Sequence, residues 1–339
     1  MSRKFLILNF IITLFLLAGC DILGYHETCR IYQDCIYLID SNGSDLYKVV
    51  NLGHTEDDIM GGGGESLPGA DNIQFTSDDE KLVYGNDCRF YSINLDGSHN
   101  ILLSDTLKVW GKPSISTDNQ TIVFSAYKNG SLDIFIANFD ASSLNNLTST
   151  SVIDEKYPCF SPSGEEIIYV ADIDSNSFIC KQNINNGNID TLLYSEADQL
   201  DYLCFPHDGT KIYFIEGNKL CSMDSDGTGQ TILLDEILYL PSFSSDGSKV
   251  AYNDYNNLYV MNSDGSGITI VESDSYPRKP QISHDGNKII YSLNSEIHAI
   301  NSDGSDKQTI HRGSKHIFSS DSSKIAFSYY FLYKTIHSS

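Results

Sequence analysis

The sequence predicts an all-β chain folded as a β-propeller, with seven four-stranded blades closed by N- and C-terminal half-blades and six blades as the alternative count. Three observations predict it. A ten-residue phrase recurs from Phe75, Ile115, Phe160, Phe205, Phe243, Ile282 and Phe318, two copies reading FSSDGSKVAY and ISHDGNKIIY. Its starts lie 36 to 45 residues apart, the spacing of a four-stranded blade. A second phrase, as in LYVMNSDGS and IHAINSDGS, alternates with the first. Finally, the chain opens on a second phrase and ends on a first one.

In chain order, residues 1–19 form a lipoprotein signal peptide. Arg3 and Lys4 precede an apolar run from Phe5 to Leu17, and the run ends in Leu17-Ala18-Gly19-Cys20. A basic start, a short apolar core and small residues at the cleavage point are the grammar of export. The Leu-Ala-Gly-Cys ending resembles a bacterial lipobox, which implies lipidation of Cys20. Residues 20–28 then read as a lipid-anchored tether and 29–339 as the propeller. The expected location is a bacterial membrane, on its periplasmic side or at the cell surface.

The first phrase describes a hairpin of strands A and B. Its eighth residue is aliphatic in every copy (Leu82, Ile122, Ile167, Ile212, Val250, Ile289, Ile325), and its tenth is aromatic (Tyr84, Phe124, Tyr169, Phe214, Tyr252, Tyr291, Phe327). That alternation gives a strand with a packed face. The fourth residue is Asp in six copies, Asp78, Asp118, Asp208, Asp246, Asp285 and Asp321, where it accepts from turn amides. The second phrase begins at Ile36, Phe90, Ile134, Ile179, Leu220, Leu258 and Ile297, and its fifth residue is always Asn or Asp. It reads as strand C, a turn and strand D. The half-repeats at the two ends complete one another in a single blade, which removes exposed sheet edges. The strand-like tail from Tyr329 to Ile336 has no place in this count.

These phrases resemble the WD40-like repeats of the TolB β-propeller family over roughly residues 29 to 330. The resemblance implies fold more than function, because such propellers include scaffolds, peptidase propellers and a few lyases. TolB itself is expected to place a six-bladed propeller behind an α/β domain and to be soluble. This chain departs from it in its lipobox, its seven-blade count and its lack of the α/β domain.

Antiparallel strand order puts the A–B and C–D turns on one face, and the B–C loops and D–A crossovers on the other. The first face is written by the repeat; the second varies, as ligand-binding loops on a rigid scaffold do. The longest variable segments are 51–72 and 148–157. Trp110, Tyr157, Tyr202, Tyr239 and Tyr276 are expected just before a strand A, near the channel mouth. Lys108, Lys112, Lys156, Arg278, Lys279, Arg312 and Lys315 fall in the same crossovers. From these, Trp110, Tyr157, Tyr202, Tyr239, Tyr276, Arg278, Lys279 and Arg312 form the candidate partner site, with aromatic anchors and basic forks for a carboxylate-bearing protein or peptide.

Composition narrows the alternatives. The net charge is −23, and cleavage before Cys20 would remove Arg3 and Lys4 and carry it to −25. That argues against nucleic acid, whose phosphates need clustered bases. No G-x-S-x-G elbow supplies a hydrolase nucleophile. His207 and His284 share a repeat position two blades apart, too far for one ion. His54, His311 and His316 flank the closing blade and read as exposed loop residues. The run from Asp224 to Thr228 lacks the glutamate of a calcium loop. Lipidation would leave seven cysteines, an odd number. Cys159 and Cys204 share one repeat position and Cys180 and Cys221 another, all read as small apolar core residues, while Cys29 with Cys35 is the expected bridge. The expectation is therefore a protein- or peptide-binding scaffold of the cell envelope, with no catalytic residue, metal or cofactor and membrane contact through the lipid. The alternative is a carbohydrate-active propeller, a lyase or glycan binder working at the channel mouth.

Overall fold

The computed structural model describes residues 32–52, 71–196, 200–205, 209–237, 239–273 and 275–332. The signal peptide, the tether, Cys29, His54 and most of the 51–72 segment lie outside these residues, as do His207 and Asp208. Every regular element described is a strand, and the strands form seven four-stranded antiparallel sheets. Six blades are continuous in sequence: blade I over residues 71–102, II over 108–146, III over 154–196, IV over 200–234, V over 242–272 and VI over 278–312. Within each, the four strands follow chain order, A innermost and D at the rim.

Blade VII joins the two ends of the chain. Its A and B strands are Ser314–Phe318 and Lys324–Leu332, and its C and D strands are Tyr32–Asp40 and Tyr47–Asn51. The B–C pairing runs without a break from Tyr32 opposite Leu332 to Asp40 opposite Lys324. The start of the unassigned tail is thus strand B itself, extended as far as Leu332. Lys324 Nζ reaches Asp40 Oδ1 at 3.0 Å and ties the two ends together.

The repeat explains the core. All seven aliphatic eighth positions are completely buried, and the aromatic tenth positions are buried in every blade. The apolar clusters lie between blades rather than within them. Ile36, Leu38 and Ala326 of blade VII pack with Ile73 and Leu82 of blade I, while Ile325 and Phe327 pack with Ile290 and Ile297 of blade VI. Each blade therefore needs both neighbours to hide its two faces.

The turns follow the expected chemistry and add a partner to it. Asp246 Oδ1 accepts from the Ser244 hydroxyl at 2.6 Å and the Ser248 amide at 3.0 Å, and Asp78, Asp118, Asp285 and Asp321 repeat the arrangement. The Ser or Thr at the second position of the phrase, unremarked in the sequence, also accepts from the amide that starts strand B, as Ser244 does from Lys249 at 2.9 Å. Asp226 is likewise occupied by the Thr228 amide and hydroxyl. The repeated acids are thus consumed by their own turns.

Candidate functional site

Strand A in six blades carries a register break: in blade I between Asp71 and Gln74, II between Trp110 and Ser114, III between Lys156 and Cys159, IV between Asp201 and Leu203, VI between Arg278 and Gln281, and VII between Ser314 and Ile317. Within each break one residue takes the left-handed conformation: Asn72, Gly111, Tyr157, Tyr202, Lys279 and Lys315. A β-bulge re-aims side chains and bends the strand, and only glycine adopts positive φ without cost. Here the bulge lets strand A continue where a crossover was expected. Trp110, Tyr157 and Tyr202 consequently sit inside the innermost strands, as do Lys108, Lys156, Arg278, Lys279 and Lys315.

The bulges bind each blade to the next. Asn72 Nδ2 donates to the Gly111 carbonyl at 2.8 Å, Tyr157 Oη to Asp201 Oδ1 at 3.0 Å, and Tyr202 Oη to the Pro241 carbonyl at 3.1 Å. Trp110 packs edge-on against Tyr157 with ring centres 5.0 Å apart, Lys156 lies over the Trp110 ring, and Lys156 pairs with Asp172. Burial and the Asp201 charge raise the Tyr157 phenol far above its ordinary range. Trp110, Tyr157 and Tyr202 therefore serve first as joints between blades.

Tyr239, Tyr276, Arg278 and Lys279 behave differently. Tyr239 and Tyr276 are 40% and 64% exposed, and both basic residues are exposed. Tyr239 meets Tyr255, itself 61% exposed, edge-on at 5.9 Å. Tyr255 comes from the B–C loop of blade V, beside the next crossover: the Ser275 amide donates to the Asn256 carbonyl at 3.1 Å, and Asn253 Nδ2 to the Pro277 carbonyl at 2.8 Å. Leu240, 58% exposed, extends the patch. Tyr276 and Lys279 both hold positive φ, at 55° and 52°. Tyr255 and Leu240 were missed from the sequence, although an aromatic within the short Asp254–Asn257 loop was a readable signal. Arg312 lies apart, 73% exposed and 3.9 Å from Glu296.

Of His54, His311 and His316, the two described are packed into the fold. His316 is buried rather than exposed; its Nε2 donates to the Lys279 carbonyl at 2.9 Å and its Nδ1 accepts from Ser292 at 3.1 Å. Burial holds its imidazole down at about 4. His311 packs against Phe327 and Tyr329. Among the described residues, no three of His, Cys, Asp and Glu converge as metal ligands would.

A second group lies on the innermost strands of blades II to IV. Lys112 falls in the strand A register break of blade II and keeps solvent-exposed surface. Desolvation holds its ammonium below the ordinary lysine range, opposed by the nearby sulfurs of Cys204 and Cys159. Those two cysteines are half-buried, unlike the buried Cys180 and Cys221, and Cys159 packs against the apolar cluster between blades III and IV.

The fold has solved counterparts. A putative TolB from Agrobacterium tumefaciens superposes with a TM-score of 0.56 at 15% identity, over 88% of this chain and 99% of that one. An oligogalacturonate lyase from Vibrio parahaemolyticus gives 0.66 at 12% identity, over 89% and 98%. An oligogalacturonate lyase in complex with manganese gives 0.64 at 12%, over 78% and 89%. At these identities the likeness is one of fold. No protein-family model matches the sequence, and neither does any curated protein.

Proposed function

We propose that this TolB-like propeller is an exported, lipid-anchored binding module of the bacterial envelope. Its partner is a protein or peptide segment rich in carboxylates, held on the variable face of blades V and VI. One observation carries the reading: Tyr239, Leu240, Tyr255, Tyr276, Arg278 and Lys279 form an exposed aromatic and basic patch on a chain of net charge −23. The bases that elsewhere meet acids, such as Lys156 and Lys307, are paired at home, whereas Arg278 makes no ion pair among the described residues. Aromatic anchors flanked by forked cations suit a carboxylate-bearing surface. Export and anchoring rest on the Leu17-to-Cys20 signal.

The test is crosslinking in the native envelope followed by mass spectrometry, comparing the wild-type chain with an Arg278→Glu/Lys279→Glu double variant. Loss of two central contacts should cut recovery of the partner by about tenfold or more. Equal recovery from both chains would sink the proposal. The likeness to oligogalacturonate lyases favours one second reading, in which a carboxylate-bearing oligosaccharide occupies the same patch. Titration with oligogalacturonate separates the two, because only the second reading expects saturable binding that the double variant loses.

A further inference from the structure

We propose that Cys159 and Cys204 are a disulfide pair that links blades III and IV. They hold the same repeat position on neighbouring innermost strands, each immediately before the apolar residue that opens the ten-residue phrase. At that position the side chain spans the gap between blades. Ser114 Oγ accepts from the Phe160 amide of the next blade at 3.1 Å, and Ser242 Oγ accepts from the Ile282 amide at 3.1 Å. Cys159 holds the same position: its thiol donates to the Phe160 carbonyl at 3.6 Å, and the amide of Phe205, the residue directly after Cys204, favours its thiolate. One side chain and one hydrogen bond span at most about 8 Å between Cα atoms, a range that includes the 4.4–6.8 Å or so a disulfide requires.

Both residues are thiols here and both are half-buried. The Lys112 charge acts on both sulfurs and favours whichever thiolate forms. Burial acts the other way and pushes Cys204 up to about 12. The two effects set different quantities. Lys112 assists the attack, while burial denies the reduced form the thiolate stabilisation that makes a disulfide easily reduced. The bond, once made, should persist.

The reaction is thiol–disulfide exchange with a small oxidant such as oxidised glutathione. One cysteine thiolate attacks a glutathione sulfur, its S–S bond breaks and one glutathione thiol leaves with the electron pair and a proton. The second cysteine then attacks the mixed disulfide and releases the other glutathione thiol. Two protein thiols are oxidised and one glutathione disulfide is reduced. That an oxidising compartment supplies such an oxidant rests on the export reading above.

The mature chain, purified in detergent under reducing conditions, would be incubated with a glutathione redox buffer, alkylated after denaturation and mapped without reduction. The expected product is a linked peptide pair containing Cys159 and Cys204, with Cys88, Cys180 and Cys221 alkylated. Its closed loop of about 45 residues should raise the unfolding midpoint by on the order of 5 °C over the reduced chain. Lys112→Gln should slow bond formation severalfold. Full alkylation of both cysteines, or linkage of either to another cysteine, would overturn the pairing. The same mapping on protein alkylated at cell lysis addresses export separately: a bond made by the purified chain but missing in cells keeps the pair and removes the export reading.

Discussion

Glu155 shows what one misplaced charge does to this fold. It is 2% exposed, and among the described residues its oxygens accept from Thr150 at 2.9 Å and Thr148 at 3.2 Å. Asp133, equally buried, accepts from Asn146 through one oxygen and leaves the other unmatched. Burial chiefly, with the charges of Asp133 and Asp154, raises the Glu155 carboxyl to about 7. The folded state therefore holds a proton that the unfolded chain releases near its ordinary 4.5. Stability from this group is complete below about pH 4.5 and is lost as pH rises through about 7. Glu155→Gln should flatten that decline, gaining about 2–3 kcal/mol over wild type above pH 7 and little below about pH 5. Denaturant midpoints at about pH 5 and pH 8 would check it; a gain of equal size at both would refute the assignment. The turn aspartates run oppositely, since hydrogen bonds hold Asp118, Asp285 and Asp321 below the ordinary carboxylate range. Their contribution is present at neutral pH and lost on acidification.

At the scale of the element, strand A decides most. Its bulge converts a run that reads as a crossover into strand, and turns Tyr157 and Tyr202 into joints. At the entry to blade VI, Tyr276 in the crossover and Lys279 in strand A take the same left-handed conformation with their side chains exposed. A non-glycine residue there costs about 1–2 kcal/mol, and among the described residues no hydrogen bond or ring contact of Tyr276 offsets it. Tyr276→Gly should leave the unfolding midpoint unchanged or slightly raised, while partner recovery falls severalfold; thermal melts and native crosslinking measure the two. Equal loss of stability and capture would assign the ring to packing. None of this was legible in the sequence, because a bulge adds a residue without marking it. The Asp-rich turns were legible, since their hydrogen bonds close within a few residues.

For the whole molecule, closure is the controlling fact. The strand Tyr32–Asp40 pairs along its full length with Lys324–Leu332, and blade VII shares apolar clusters with both neighbours. Deleting residues 324–339 should therefore expose the faces of blades I and VI as well as an inner strand edge. The truncated chain is expected to lose its single cooperative melt and bind a hydrophobic dye at ambient temperature. A melt superimposable on that of the full chain would show that the ring holds without its clasp.

The sequence by itself determined the blade, the count and the closure: Leu82 and its six counterparts are buried where the repeat put them, and the half-repeats at Ile36 and Phe318 share one sheet. Those features are local and repeated, so each copy restates the same hydrogen bonds and the same buried face. Only the tertiary structure decided which candidate residues stay at the surface. It took Trp110, Tyr157 and Tyr202 into the joints, left Tyr239, Tyr276, Arg278 and Lys279 on the surface beside the unforeseen Tyr255, and set Cys159 and Cys204 on the innermost strands of neighbouring blades. The physical reason is common to all three outcomes. Contacts between blades join residues about 40 positions apart in sequence, and no pattern within one repeat records which side chain will meet the next.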